Sequence, residues 1–470
     1  MADNGLGFER AHFIGIGGAG MSGIALVLHE RGCAVTGSDL KESRYVRDLR
    51  DAGIEVAIGH RAETVDEHRP DVVVTSTAIP ETNPEVVRAK ELGIPVWPRA
   101  KMLSALSRGR RTVAVAGTHG KTTTSSMLAS TLEAMGADPT FLIGGIVRAF
   151  GTNAHSGRGP WYVVEADESD KSFTYLAPQA VIVTNIEADH LDHYADLDDI
   201  YENFRAFIAS VPDDGVAVVC GDDAALADLA RSTGRRVVTY GFSEGCDARV
   251  TAFEPRGVGS AFTLRLPGGR EVAGQVRQNP GAHNVANAAG VLALIDALGM
   301  DVDDAAAKLG EFAGVRRRFD LVGQAAGVTV VDDYAHHPTE IAATIRAAKA
   351  LDFNRVHVLF QPHRYSRAPL FTEVLRDEFG SAFDDADDVV FMDVYPAGEA
   401  PVPGVNGKTF LNVVLDHPGH PDAAFVPRRV DVVPALVDAA GEGDLVITMG
   451  AGDVTAIGPQ LVDELRRREA

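Results

Sequence analysis

Residues 112–124 read TVAVAGTHGKTTT: a short apolar run, a glycine loop, and a Lys-Thr pair that opens a helical pattern. That order confines the region to strand, loop and helix in a parallel α/β sheet, with the loop at the carboxyl edge of its strand. In such a geometry the amides of Gly117, Thr118, His119, Gly120 and Thr123 cradle phosphate oxygens. Lys121 reaches the β and γ groups, and the Thr122 hydroxyl meets Mg2+. The general phosphate-loop pattern asks for glycine at 115, where this chain has Val115, so the loop is a short form. The segment predicts a nucleoside-triphosphate site.

A second glycine loop, Gly15-Ile16-Gly17-Gly18-Ala19-Gly20, follows the run AHFI and precedes MSGIALVLHE. Strand, glycines and helix in that order let backbone amides approach a diphosphate. Asp39 closes the next apolar run and could reach a ribose hydroxyl. The glycines alone leave NAD, FAD and a UDP-sugar open, and a turn needed only for close helix–strand packing is the bland alternative.

A chain of 470 residues exceeds one ordinary core, so about three domains are expected. Short apolar runs alternate with helical patterns throughout, and basic turns SRGRR (107–111) and GVRRRFD (314–320) punctuate them. Three α/β units in series follow: 1–107, 108–315 and 316–470. Forty-four Lys plus Arg against 66 Asp plus Glu leave a net charge of −22, which opposes nucleic acid and anionic membrane as partners. The three cysteines, Cys33, Cys220 and Cys246, form no CxxC pair, which speaks against a disulfide framework or a zinc knuckle and for a reducing, cytoplasmic setting.

Two acidic clusters end apolar runs: Glu165-Ala166-Asp167-Glu168-Ser169-Asp170 after WYVV, and Asn185-Ile186-Glu187-Ala188-Asp189-His190-Leu191-Asp192 after AVIVT. Two acidic strand ends near one phosphate loop suggest a magnesium site, because hard cations combine carboxylate and phosphate oxygens. Imidazole suits softer metals, so chemistry alone leaves His190 off the cation. Farther on, Asp332-Asp333-Tyr334-Ala335-His336-His337-Pro338 and Gln361-Pro362-His363-Arg364-Tyr365-Ser366-Arg367 gather His and Arg at two more strand ends. Arginine grips carboxylates bidentately, which fits a carboxylate pocket as well as it fits polar surface loops. Arg316, Arg317 and Arg318 could neutralise phosphate, or form a solvated run.

These motifs, in this order, resemble the Mur ligase family. The match spans GIGGAGMSGIA (15–25), TSTAIP (75–80), GTHGKTTT (117–124), EADESD (165–170), NIEADHLDHY (185–194), HNVAN (283–287), VRRRFD (315–320), DDYAHHPTE (332–340) and QPHRYSR (361–367). The resemblance implies an N-terminal Rossmann-like domain, a central P-loop ATPase domain with a mostly parallel sheet, and a C-terminal Rossmann-like domain that closes with the amino acid. The run GIGGAGMSG is similar to that of the alanine-adding branch. The implied reaction activates the lactyl carboxylate of UDP-N-acetylmuramate as an acyl phosphate at the expense of ATP, and the amine of L-alanine then attacks it.

By the same resemblance, Gly15, Gly17, Gly18, Gly20, Met21, Ser22, Asp39 and Ser76 hold the UDP-sugar. Lys121, Thr122, Glu168 and His190 serve phosphate transfer and Mg2+, which raises His190 above its chemical standing. Asn284 and Asn287 lie by the adenine, Arg317 faces the triphosphate, and Tyr334 and His336 line the closing cleft. His336, His363, Arg364 and Arg367 take the amino acid. No lysine stands between Lys171 and Lys308, so the carbamylated lysine of several relatives is not expected. A monomer or homodimer fits. The alternatives are a related ligase that recycles a tripeptide onto UDP-N-acetylmuramate, a nicotinamide-dependent oxidoreductase, and an ATP-driven switch without an amine acceptor.

Overall fold

The computed structural model describes residues 6–168, 172–188, 194 and 196–469. Twenty-one strands among them form three sheets. The first holds β1 (Arg10–Ile14), β2 (Ala34–Asp39), β3 (Glu55–Ile58), β4 (Val72–Thr75) and β5 (Val96–Pro98), ordered β3-β2-β1-β4-β5 with every pair parallel. Helices cover such a sheet on both faces, which is why β4 reads as an unbroken apolar run and β1 as a buried run broken only by His12, instead of alternating.

The second sheet holds β6 (Arg111–Ala116), β7 (Thr140–Val147), β8 (Thr152–His155), β9 (Trp161–Glu165), β10 (Ala180–Val183), β11 (Val216–Cys220), β12 (Val237–Gly241), β13 (Ala248–Arg256), β14 (Gly259–Arg265) and β15 (Glu271–Val276). Their order is β15-β14-β13-β12-β11-β10-β6-β9-β7-β8. β6 lies between β10 and β9, parallel to both, so the phosphate-loop strand is interior and its end is flanked by the two acidic strand ends. Val115, where the general motif wants glycine, is a fully buried strand residue opposite Ile182 and Glu165; the strand runs on to Ala116 and the loop begins at Gly117.

The third sheet holds β16 (Asp320–Ala325), β17 (Val328–Asp333), β18 (Val356–Phe360), β19 (Asp388–Phe391), β20 (Asp422–Phe425) and β21 (Leu445–Met449), ordered β16-β17-β21-β18-β19-β20. Only β16 runs antiparallel to its neighbour.

The chain divides into two compact units. The first comprises Met1–Ala252, Phe262–Gly274 and Ala286–Ala313; the second comprises Phe253–Ala261, Gln275–Val285 and Gly314–Ala470. Within the first unit the helix Ala19–Glu30, which opens from the first glycine loop, packs on the β7–β8 hairpin. A Cβ on Gly23 would stand 3.0 Å from Leu142 Cδ2 and 3.1 Å from Ala154 Cβ, and Asn153 Nδ2 donates to the Ala19 carbonyl at 3.2 Å. One continuous apolar core, including Ile24, Val27, Leu142 and Ala154, therefore serves both glycine loops.

In the second unit the third sheet is buried on both faces, against Ile341, Phe379, Phe383 and Phe410 on one side and Val432, Leu436, Ile457 and Leu461 on the other. At its amino-terminal edge the buried His357 sits between two carboxylates, with Nδ1 2.6 Å from Asp388 Oδ2 and Nε2 2.9 Å from Asp444 Oδ2. Burial opposes a charge on the ring, but the two carboxylates outweigh it and raise the pKa. A raised folded-state pKa gives stability that is complete below the unfolded value of about 6.5 and is lost as pH rises through the folded value. His357→Ala is therefore expected to cost about 3 kcal/mol below that pH, because it leaves buried charge unpaired. In thermal melts the gap from the unaltered protein should narrow as pH increases; a gap independent of pH contradicts a charged His357.

Candidate active site

The first glycine loop is held by the end of β2. Gly15 and Ile16 donate their N–H groups to the Ser38 carbonyl at 2.8 and 3.0 Å, and Gly17 N–H donates to Asp39 Oδ2 at 2.8 Å. A Cβ on Gly17 would meet Val46 Cγ2 at 2.8 Å and Asp39 Oδ2 at 2.9 Å, so glycine is required there by close approach. Gly18 and Gly20 complete the turn into the helix, with Gly18 itself as the N-cap. Met21 is buried, and the Ser22 hydroxyl donates to the Ala19 carbonyl at 3.0 Å, so both shape the helix start. Ser76, just past β4, is half-buried and accepts Ile79 N–H through its carbonyl.

The phosphate loop lies between β6 and the helix Lys121–Ala134. Gly117 adopts φ +129°, and a Cβ there would fall 2.1 Å from Thr184 Oγ1 at the end of β10. Asn185, next in the chain, fastens the loop: its carbonyl takes Thr118 N–H at 3.1 Å, its Oδ1 takes His119 N–H at 2.8 Å, and its Nδ2 donates to the His119 carbonyl at 3.2 Å. Thr118 Oγ1 accepts Glu187 N–H at 2.8 Å, and His119 Nε2 stands 3.4 Å from Glu187 Oε2. Gly120, with φ +82°, caps the helix, and Asn287 Oδ1 lies 2.9 Å from where its Cβ would be. The loop is thus shaped before any ligand arrives, with first-turn helix amides that have no intrahelical acceptor.

Lys121 folds back over this loop, donating to the carbonyls of Gly117 and Thr118 at 2.6 and 3.1 Å and to Glu168 Oε1 at 2.8 Å. Both members of the pair are buried, at 13% and 3% side-chain exposure. Burial opposes the ammonium, but Glu168, Asp167 and Glu165 together keep its pKa raised. For Glu168 burial dominates and pushes the carboxyl up, with Lys121 pulling it back incompletely. Glu168 Oε2 is buried with no hydrogen-bond partner among the described residues, although its backbone carbonyl accepts the Tyr194 hydroxyl. Thr122 Oγ1 donates to Glu165 Oε1 at 3.0 Å, and Glu165 Oε2 takes Gly144 N–H at 2.7 Å. An unsatisfied carboxylate oxygen and a threonine hydroxyl beside a phosphate loop are the oxygen donors a hard divalent cation takes. Thr123 is buried at the base of the helix. His190 lies outside the described residues.

In the second unit, residues from the ends of β17, β18 and β21 form another cluster. Arg317 and Arg318 both lie over the Tyr334 ring, with guanidinium carbons 4.8 and 5.3 Å from its centroid. Arg317 is anchored by the carbonyls of Gly450 and Gly452 and stands 3.3 Å from Asp332 Oδ2. Asp332 in turn accepts the hydroxyls of Thr448 and Thr455. His336 Nδ1 faces the Tyr334 carbonyl at 3.1 Å and Glu340 Oε2 at 3.3 Å, while its ring meets that of His363 edge-on at 6.2 Å. His363 stacks on Tyr395. Burial, reinforced by His336, Arg367 and Arg364, lowers its pKa to about 3 and leaves the ring neutral at neutral pH. Asn284 is tied to its own helix start, donating to the Pro280 carbonyl at 3.0 Å.

The expected residues therefore fall into two groups: both glycine loops, Lys121, Thr122, Glu168 and Asn287 in the first unit, and Asn284, Arg317, Tyr334, His336, His363, Arg364 and Arg367 in the second. Sequence reasoning passed over Thr184 and Asn185 as fasteners of the loop, Arg99, which stands 3.9 Å from Asp167, and the Gly450–Gly452 carbonyls that hold Arg317. Asn185 opens an acidic cluster already singled out and was readable as a loop partner. Nothing local marks the others.

Family models for the Mur ligase family catalytic domain, the Mur ligase middle domain and the Mur ligase glutamate ligase domain match residues 10–111, 115–295 and 317–452. The chain belongs to the Mur ligase family. Among its relatives, the UDP-N-acetylmuramate–L-alanine ligases of Geotalea daltonii and Acidothermus cellulolyticus are 46% and 47% identical to it. The alignments cover 97% and 98% of this chain and 98% and 95% of theirs. Of solved structures, the UDP-N-acetylmuramate–alanine ligase MurC of Thermotoga maritima superposes with a TM-score of 0.80 at 31% identity, covering 98% of this chain and 99% of its own. A murein peptide ligase from Psychrobacter arcticus gives 0.71 at 25% identity, covering 98% and 99%.

The geometry of the loop generates one expectation. Gly117→Ala sets a methyl group against Thr184 and strains a left-handed backbone, so ATP affinity should fall by more than about tenfold, the equivalent of about 1.4 kcal/mol. Titration with a non-hydrolysable ATP analogue checks it, and unchanged affinity contradicts the loop assignment.

Proposed function

We propose that this chain is an ATP-dependent, ADP-forming ligase that joins L-alanine to the lactyl carboxylate of UDP-N-acetylmuramate. The products are UDP-N-acetylmuramoyl-L-alanine, ADP and phosphate, the first addition to the peptidoglycan stem. The observation that carries the reading is the buried Lys121–Glu168 pair under a preformed phosphate loop, in the same compact unit as a diphosphate-type glycine loop. Family membership and relatives of that name at 45–47% identity over nearly the whole chain support it. The higher TM-score of the MurC structure, 0.80 against 0.71 for the murein peptide ligase, favours alanine over a recycled tripeptide.

A carboxylate is a poor electrophile until one of its oxygens is phosphorylated, which makes a mixed anhydride with phosphate as the leaving group. Lys121 and the first-turn helix amides that follow Gly120 hold the β and γ groups of ATP so that the lactyl carboxylate can attack phosphorus, releasing ADP and forming an acyl phosphate. Gly15, Gly17, Gly18, Gly20 and Asp39 hold the UDP moiety, with Met21, Ser22 and Ser76 around it. Thr122 and Glu168, with His190, are the residues that would hold Mg2+, which when bound screens the charge of carboxylate and triphosphate. Asn287 in the first unit, and Asn284, Arg317 and Tyr334 in the second, are the residues assigned to the nucleotide. Arg364, Arg367 and His363 take the alanine carboxylate. His336, whose Nδ1 faces a carbonyl, keeps Nε2 to accept a proton from the alanine ammonium, and the freed amine attacks the acyl carbon and expels phosphate. The functional segments are 1–107 for the UDP-sugar, 108–315 for ATP and 316–470 for the amino acid, in a cytoplasmic monomer or homodimer. Among the described residues no helix is long and apolar enough to cross a membrane.

Phosphate release should require ATP, Mg2+, UDP-N-acetylmuramate and L-alanine together, with a product heavier by one alanyl residue. Best turnover with the recycled tripeptide, or release independent of the UDP-sugar, contradicts the proposal. Lys121→Ala should lower turnover by at least about a thousandfold, as loss of a phosphate-stabilising charge does, while UDP-N-acetylmuramate binding measured by calorimetry stays intact. Glu168→Gln should raise the Mg2+ concentration needed for half-maximal rate, and an unshifted Mg2+ titration counts against the metal role.

A further inference from the structure

Beneath the first glycine loop lies a carboxylate that the proposed reaction does not use. Glu85 is completely buried at the start of the helix Pro84–Glu91, where Asn83 Oδ1 caps its N–H at 2.9 Å. Its Oε2 accepts the Ser38 hydroxyl at 2.5 Å and stands 3.6 Å from both His12 Nε2 and His60 Nδ1. Its Oε1 accepts Arg61 N–H at 3.2 Å. His12, on β1, is itself fully buried and bonded through Nδ1 to Thr36 Oγ1 at 2.8 Å. One carboxylate thus gathers β1, the end of β2, the segment after β3 and the helix after β4.

Burying such a group costs free energy that an apolar side chain of similar size avoids, so stability alone does not account for it. What distinguishes the place is Ser38. Its hydroxyl donates to Glu85 and also bonds His60 Nδ1 at 2.8 Å, and its carbonyl receives the amides of Gly15 and Ile16, while the next residue, Asp39, receives Gly17. Three successive amides of the glycine loop hang on two residues, and the first of these has its side chain pinned by Glu85 and by His60, which itself faces Glu85.

We infer that Glu85 is a positioning residue for the nucleoside-diphosphate part of the substrate: through Ser38 it fixes the path of Gly15–Gly17, and with it the placement of Gly18 and the helix start that follow. The inference rests on the reading that this loop holds the UDP moiety. Glu85 touches no reacting atom in this account.

Calorimetric titration of the full chain with UDP, and separately with a non-hydrolysable ATP analogue, tests it. Glu85→Ala should weaken UDP binding about tenfold, the loss of one buried hydrogen bond, and leave the ATP analogue unchanged. Glu85→Gln keeps an acceptor in place and should recover most of that affinity, and Ser38→Ala should reproduce the selective loss even if Glu85→Ala does not fold. Unchanged UDP affinity in Glu85→Ala or Ser38→Ala, or equal losses for UDP and the ATP analogue, overturns the inference. If the unaltered protein does not bind UDP at all, the reading of the loop itself fails before any variant is compared.

Discussion

A lysine ammonium held against a buried glutamate and two backbone carbonyls of its own loop is the interaction on which the rest of the first unit depends. Lys121 is kept charged by Glu168 and its acidic neighbours, and that charge is aimed across the loop that begins at Gly117. Glu168 spends one oxygen on the lysine and has the other left without a hydrogen bond among the described residues. A buried pair of this kind contributes little net stability. It sets charges in place ahead of substrate, so little reorganisation remains when a triphosphate and a carboxylate meet.

The same logic of placement recurs at each sheet. Parallel strands send their carboxyl ends to one edge, and loops there are free to vary while the strands stay buried. β1 and β2 present one glycine loop; β6, flanked by β9 and β10, presents the other; β17, β18 and β21 present the Arg–Tyr–His cluster. Docking the helix Ala19–Glu30 onto the β7–β8 hairpin through a shared core fixes the first loop relative to the second, which a reaction between a UDP-linked carboxylate and ATP requires.

Much of this was legible in the sequence because its signals are local. The runs AHFI, TVAVA, WYVV and AVIV became β1, β6, β9 and β10, and the glycines that open the loops need their positive φ or close approach at fixed offsets. Val115 looked like a flaw in the motif and is a buried strand residue instead. What escaped was long-range. Glu85 and Ser38 lie 47 residues apart, and Arg317 and the Gly450 carbonyl 133, and no periodicity or motif encodes such meetings. The short strands β3 and β8 and the edge strand β16 also lacked the long apolar runs that announce a strand buried on both faces.

The central claim is that ATP turns a carboxylate into an acyl phosphate before an amine displaces it. Oxygen-18 in the lactyl carboxylate of UDP-N-acetylmuramate follows that step directly. Turnover with ATP and L-alanine should leave one labelled oxygen in the released phosphate and none in the ADP, read by mass spectrometry. Unlabelled phosphate would show that the carboxylate never bonded to phosphorus, and would contradict the account.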